Sequence, residues 1–269
     1  MNNKKVLVLI LFTIISKLIG FFREVTLAYY YGASKITDAY LTSRSILFMV
    51  VSLLSVGISA SIIPMYNNIK VNGGEGKARN FIVKLVAILS FLMLILILVF
   101  TDKFVYIIAS GFKGELLTLT IKFTRIAILS LPVILISSVL NGYLQAQGKF
   151  NFEAFSGIIL NLILIIFTIL SSREKTLFLP IGIMIAHILQ YLPIYIYLSK
   201  SKTKSKYKGI KILGDSEVRI FIKKSIPLIL GLGANQIATI VDKNIASFIG
   251  DGAISFINYS SRIFFMILA

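Results

Sequence analysis

SKLIGFFREVTLAYYYGASKITDAYLTSR (Ser16–Arg44) lies between long apolar runs, yet it carries Lys17, Arg23, Glu24, Lys35, Asp38 and Arg44. Ionisable side chains at membrane depth are costly, face a protein interior or a wet cavity, and mark function by default. On the residues alone two readings stand for Arg23. It is either a cavity cation or an interfacial residue that snorkels and pairs with Glu24 or Asp38. Lys17 precedes Arg23 by six positions, which in a helix sets the two about 120° apart. They suit adjacent walls of one cavity better than a single stripe.

The surrounding chain explains why membrane depth is the right frame. Of 269 residues 57% are apolar, and mean hydropathy is +0.90. Charges are absent from Ile126–Tyr143, Phe155–Leu170 and Leu177–Tyr197, and Lys84 is the single charge within Phe81–Phe100. Uninterrupted apolar runs of about 18 or more residues read as spanning helices. The fold class is therefore all-α, a polytopic membrane helical bundle. Helices are expected over about 6–31, 36–66, 80–101, 116–145, 154–170, 177–198 and 220–249, with an eighth beginning near Ala253. Pro132 is expected to kink the fourth. Asn67–Arg79 reads as a polar, Gly-rich loop, and Asp102–Glu115 as a short connection with an amphipathic turn.

Lys4, Lys5 and Val6–Ile15 imitate a signal peptide, but no small-residue cleavage site follows, so the segment reads as a first spanning helix. The formal net charge of +17 is assigned to topology and not to nucleic acid. Lys4, Lys5, Lys70, Lys77, Arg79, Lys149 and the run Lys200–Arg219 fall on one side of the alternating helices. The positive-inside rule places that side, and the N-terminus, in the cytoplasm. With no Cys, no metal-ligand cluster, no nucleophile beside a base and no phosphate-gripping Gly-rich loop, the sequence offers nothing for catalysis.

A repeat is hidden in the chain. A shift of 218 positions lays Ile19 on Ile237, Ala28 on Ala246, Gly32 on Gly250, Ile36 on Ile254 and Ser43-Arg44 on Ser261-Arg262, with Glu24 on Asp242. An even number of helices separates the copies, so they share one orientation. That is a parallel repeat of six-helix units, a plan of secondary transporters whose sites lie between the repeats. The domains follow: an N-terminal six-helix lobe over 1–199, a basic cytoplasmic loop over 200–219, and the first two helices of a truncated second lobe over 220–269. Asp242, an acid at membrane depth, suits a coupling cation or proton, and Glu24 is its repeat mate. His187, alone in an apolar helix, reads as a hydrogen-bonded packing residue. Asn141, Gln145, Gln147 and Asn161 suit bonds between helices.

SKLIGFFRE (Ser16–Glu24), YGASKITDAY (Tyr31–Tyr40), SGF (Ser110–Phe112), LNGYLQAQGKFNFEAFSGIILN (Leu140–Asn161) and NQIATIVDKNIASFIGDGAISFINYSSRI (Asn235–Ile263) together resemble the MviN/MurJ lipid II flippase family. That family belongs to the multidrug/oligosaccharidyl-lipid/polysaccharide exporter superfamily. The resemblance covers essentially the whole chain, which then stands for the N-terminal half to two-thirds of such a protein.

It implies a monomeric alternating-access transporter of the bacterial cytoplasmic membrane that moves an undecaprenyl-pyrophosphate-linked peptidoglycan precursor. It implies no cofactor beyond a coupling monovalent cation, Na+ or H+, and membrane lipid as the partner. It sets Arg23 and Arg262 on cavity arginines, Lys17 where the family has another arginine, Asp38 in the TDA motif, and Asp242 on a cation-binding carboxylate. Three departures stand out. Glu24 replaces an Asp, Arg44 is one position away from the family's basic residue, and Val50-Val51 replace an arginine pair. The alternatives are a flippase for another polyprenyl-linked polysaccharide, or a drug or cation exporter of the same superfamily.

Overall fold

The computed structural model describes residues 3–73, 75–146, 149, 151–171, 175–200 and 236–268, and every regular element among them is helical. In chain order these are α1 (Asn3–Tyr31), α2 (Lys35–Gly73), α3 (Glu75–Val99), α4 (Thr101–Ile108) and α5 (Gly114–Ala127). There follow α6 (Leu131–Ala146), α7 (Asn151–Leu170), α8 (Phe178–Lys200), α9 described over 236–249, and α10 (Ala253–Leu268). The stretches Lys35–Ser55, Gly114–Gln145, Asn151–Leu170 and Phe178–Lys200 are long and apolar enough to cross a membrane, and α3 with α4 makes a bent fifth candidate.

Breaks in the helices follow local chemistry. Pro132 has no N–H to give the carbonyl of Ile128, and the chain tightens there into a 3-10 turn over Ile128–Ser130 before α6 resumes. The expected amphipathic turn is α4, bent by 79° from α3, with Thr101, Val105 and Ile108 buried on one face. One expectation is corrected. The polar loop over 67–79 is helical on both sides of residue 74, since α2 runs to Gly73 and α3 begins at Glu75. The stretch holds no proline, and its Lys, Ala, Glu and Arg are good helix formers. Most of the Lys-rich segment and the start of the expected seventh helix fall within 201–235, outside the described residues, as does Gln147.

The core is assembled by α2, which packs on α3 and α5, while α1 packs on α7 and α7 on α8. Tyr40, Leu41 and Leu47 of α2 meet Phe123, Ala127, Leu131 and Leu135 of the α5–α6 span and Ile183 of α8 in one buried cluster. Outward faces stay apolar: Leu92, Ile95, Val99, Ile188 and Leu192 are exposed, as lipid contact requires. Hydroxyls inside the bundle fold back on their own helices. Thr101 donates to Ile97 O at 2.7 Å, Thr120 to Leu116 O at 2.7 Å and Thr124 to Thr120 O at 2.8 Å, so these three hydroxyls are satisfied within their own helices.

The 218-residue shift reappears in three dimensions. α1 ends at Tyr31 and α2 begins at Lys35, while α9 ends at 249 and α10 begins at Ala253. Gly32 closes α1 with φ 58° and donates its N–H to Ala28 O at 2.9 Å. That left-handed closure is cheap only for glycine. Gly250 holds the equivalent place with φ 139°.

Candidate functional site

Glu24 of α1 is the centre of a buried charge cluster. Its carboxylate pairs with Arg23 beside it, with Arg44 Nη1 of α2 at 3.6 Å and with Arg262 Nε of α10 at 3.9 Å. Asn258, one turn before Arg262, donates to Glu24 Oε2 at 3.3 Å. Arg23 donates from Nη1 to Asn161 Oδ1 of α7 at 2.6 Å. Asn161 in turn donates to Gly157 O at 3.0 Å and reaches Ser16 O at 3.4 Å. Three helices thus converge on one carboxylate, and α7 joins the cluster through Asn161 on Arg23.

The cluster is cationic. Three guanidinium groups share one carboxylate, and Arg23 Nε is buried with no hydrogen-bond partner among the described residues. Glu24 is only 4% exposed and Arg44 8%, while the Arg262 side chain is 51% exposed. Arg44 is held between Tyr40 and Phe48, one turn before and one turn after it, with its guanidinium carbon 5.6 and 5.8 Å from the ring centroids. Such stacking positions a guanidinium without neutralising it. Phe48 also meets His187 edge-on at 6.1 Å, and His187 Nδ1 lies 3.2 Å from Gln190 Oε1. His187 therefore has the hydrogen-bonded packing environment expected of it.

Chemically the arrangement suits an anion with several oxygens. Guanidinium forks match phosphoryl oxygens, stay charged at any working pH, and here retain excess positive charge and an unused donor. Arg44, the repeat mate of Arg262, reaches the cluster from α2.

The remaining sequence candidates are placed differently. Lys17 is exposed on α1, and among the described residues no ion pair joins it to the cluster. Asp38 is buried at the start of α2, where it accepts hydrogen bonds from Gly252 N at 2.6 Å, Ser255 N at 2.8 Å and Ser255 Oγ. It caps the N-terminus of α10 from another helix. Asp242 is exposed on α9 and does not pair with Lys243. The Lys243 ammonium instead donates to Ser45 Oγ of α2 and lies 3.4 Å from Leu41 O.

Sequence reasoning did not single out Asn258 or Ser255. Asn258 had a signal, because it lies four positions before Arg262 and so shares its helix face.

Contacts between the two repeat units gather near the Gly32 turn. Lys35 pairs with Asp251 at 3.6 Å, and Tyr259 donates to Gly32 O at 3.2 Å. Ser110 donates to Asn244 Oδ1 at 3.1 Å, Asn244 Nδ2 to Ile107 O at 3.1 Å and Gly111 N to Ser247 Oγ at 2.9 Å. Gly111 is needed for that approach, since a Cβ there would stand 2.4 Å from Ser247 O.

The family model described as lipid II flippase MurJ matches residues 27–269 of the chain. The chain belongs to the MurJ family.

Relatives and solved structures agree with that placement. The chain is 31% identical to the probable lipid II flippase MurJ of Buchnera aphidicola subsp. Acyrthosiphon pisum (strain APS), over 98% of this chain and 53% of the relative. It is 30% identical to the probable lipid II flippase MurJ of Aquifex aeolicus (strain VF5), over 94% of this chain and 51% of the relative. The chain thus spans about half the length of the curated MurJ relatives it matches.

Among solved structures, a lipid II flippase MurJ in an inward closed conformation superposes with TM-score 0.80 at 27% identity, over 96% of this chain and 55% of that one. An inward-facing multidrug resistance MATE family transporter of the MOP superfamily superposes with TM-score 0.68 at 16% identity, over 93% of this chain and 57% of that one. This second likeness is one of fold alone.

Proposed function

We propose that this chain works as part of a flippase that carries an undecaprenyl-pyrophosphate-linked peptidoglycan precursor, lipid II, across the bacterial cytoplasmic membrane by alternating access. The observation that carries the reading is the convergence of Arg44 and Arg262, equivalent positions of two six-helix units, on Glu24 beside Arg23. A cationic site shared by two repeats is where such transporters bind cargo. In this reading Arg23, Arg44 and Arg262 hold the diphosphate while the prenyl tail stays in lipid. Lys17, further along α1, supplies charge on the approach. Asp38 keeps α10, and with it Arg262, in register. The activity is transport and not catalysis, the transporter is monomeric, and nucleic acid is no partner.

The N-terminus and the Lys200–Arg219 segment face the cytoplasm by the positive-inside rule. Coupling to a monovalent cation, Na+ or H+, is assigned to Asp242, whose exposed carboxylate is free of Lys243. Glu24, its repeat mate, responds to coupling through the arginines around it.

A second reading is supported by one specific feature. Val50 is buried and Val51 half-buried where the family carries an arginine pair, so a different polyprenyl-linked glycan is the runner-up cargo. A drug or cation exporter is disfavoured, because an excess of arginine repels cationic drugs.

The test is complementation of a strain depleted of its lipid II flippase. Arg23→Gln and Arg262→Gln should each fail to rescue growth at normal protein levels. Full rescue by both would overturn the site.

A further inference from the structure

Lys243 stands out as a charge that the arginine cluster does not use. It projects from α9 beside Ile240, which packs with Ile46 of α2, and its ammonium reaches α2 itself. Its ammonium is held by neutral oxygens only, Ser45 Oγ and Leu41 O. No carboxylate comes within ion-pair distance of it among the described residues. Ser45 adjoins Arg44 in the chain, so the ammonium rests on the residue next to the arginine that pairs with Glu24.

A partly buried cation with no carboxylate within ion-pair distance is an unfavourable placement. It becomes favourable when a polyvalent anion arrives. Lysine suits such a place because its charge is compact and its four-carbon stem is flexible, whereas a guanidinium fork is committed to one geometry.

We propose that Lys243 is a further cationic ligand of the diphosphate, parked on Ser45 and Leu41 in the empty site and transferred to the second phosphoryl group when the first is held by the arginines. The proposal rests on the functional reading above and deepens it. It makes Lys243 the residue that distinguishes a diphosphate from a monophosphate. The arginines around Glu24 supply the first phosphoryl site in either case. Ser45 is a parking position because a hydroxyl gives up an ammonium more readily than a carboxylate would.

The test titrates the purified protein with undecaprenyl diphosphate, undecaprenyl monophosphate and inorganic pyrophosphate, following ligand-induced thermal stabilisation. The unsubstituted protein should prefer the lipid diphosphate to the monophosphate. Lys243→Met, which keeps the stem and removes the charge, should lose about tenfold to a hundredfold in diphosphate affinity, the worth of a charge-assisted hydrogen bond. Its monophosphate affinity should stay the same, and Lys243→Arg, which keeps the charge but not the compact head, should restore only part of the preference. Ser45→Ala, which removes the parking oxygen, should bind the diphosphate at least as tightly as the unsubstituted protein.

Equal loss for both lipids, or no loss for either, overturns the role of Lys243 while leaving the arginine site standing. Lost diphosphate binding in Ser45→Ala overturns the parking step. Inorganic pyrophosphate binding as tightly as the lipid overturns the lipid headgroup as ligand. No binding of either lipid by the unsubstituted protein overturns the functional reading itself.

Discussion

Arg44 and Arg262 are 218 positions apart in sequence, and both address the same atom, Glu24 Oε1, at 3.6 and 3.9 Å. Equivalent residues of a repeat here meet at one point and do not build two separate sites. The carboxylate is therefore a joint between the units as well as a counter-charge, and it separates the effects of substitutions on folding from those on transport.

Replacing Glu24 tests that joint. Glu24→Gln leaves three guanidinium groups with no carboxylate, and removing one partner of a buried ion pair costs about 3 kcal/mol or more. Its thermal unfolding midpoint in detergent should fall and its membrane abundance should drop. Glu24→Asp keeps the charge and should retain most of the stability. A Gln variant as stable as the parent would mean that the arginines are balanced elsewhere.

Asn161 offers a milder change. Asn161→Ala removes the acceptor of Arg23 Nη1 and the tie to Ser16 O, a loss of about 1 kcal/mol on the scale of polar bonds between membrane helices. Stability should fall slightly, whereas transport should fall further because Arg23 loses its aim. A complementation assay beside a melting curve checks both, and equal small effects on the two would count against positioning.

Gly111 is a steric test. Gly111→Ala sets a methyl group 2.4 Å from Ser247 O and 2.8 Å from Phe248 N, so the 110–111 turn and α9 must separate. Paired cysteines at Ser110 and Asn244 should cross-link readily in the parent background and poorly when Gly111 is alanine. Undiminished cross-linking would show that the backbone yields without parting.

Asp38 can be probed through a neighbouring contact. Asp38→Ala deprives α10 of its cap, which is worth about 1 kcal/mol. Cysteines replacing Lys35 and Asp251 should then cross-link less completely than in the parent, while Asp38→Asn, which keeps one acceptor oxygen, should fall between the two.

Much of the fold was legible because lipid imposes a strict rule: apolar runs mark helices, and proline and glycine mark their breaks. Pro132 announced the tightened turn at Ile128–Ser130, and the Gly32 and Gly250 matches announced two equivalent helix ends. The stretch 67–79 misled because polarity was read as loop, although its lysines, alanine and arginine favour helix.

In the site, Arg23, Glu24, Arg44 and Arg262 were visible as costly charges and as repeat mates. Their common focus on Glu24 was not, because spacing within one helix carries no information on which distant helix it faces. Lys243 shows the same limit. It adjoins Asp242 in sequence, yet its ammonium goes to Ser45 and Leu41 of α2.

The trans cap on α10 has a further consequence. The residue before this helix is glycine, with no side chain to close the first turn, so the two oxygens of Asp38 on α2 do that work for Gly252 N–H and Ser255 N–H. If the units draw apart at this end, α10 loses its cap in the same motion and exposes two amide donors. Water is the ready replacement, so wetting of this seam and its opening become a single event.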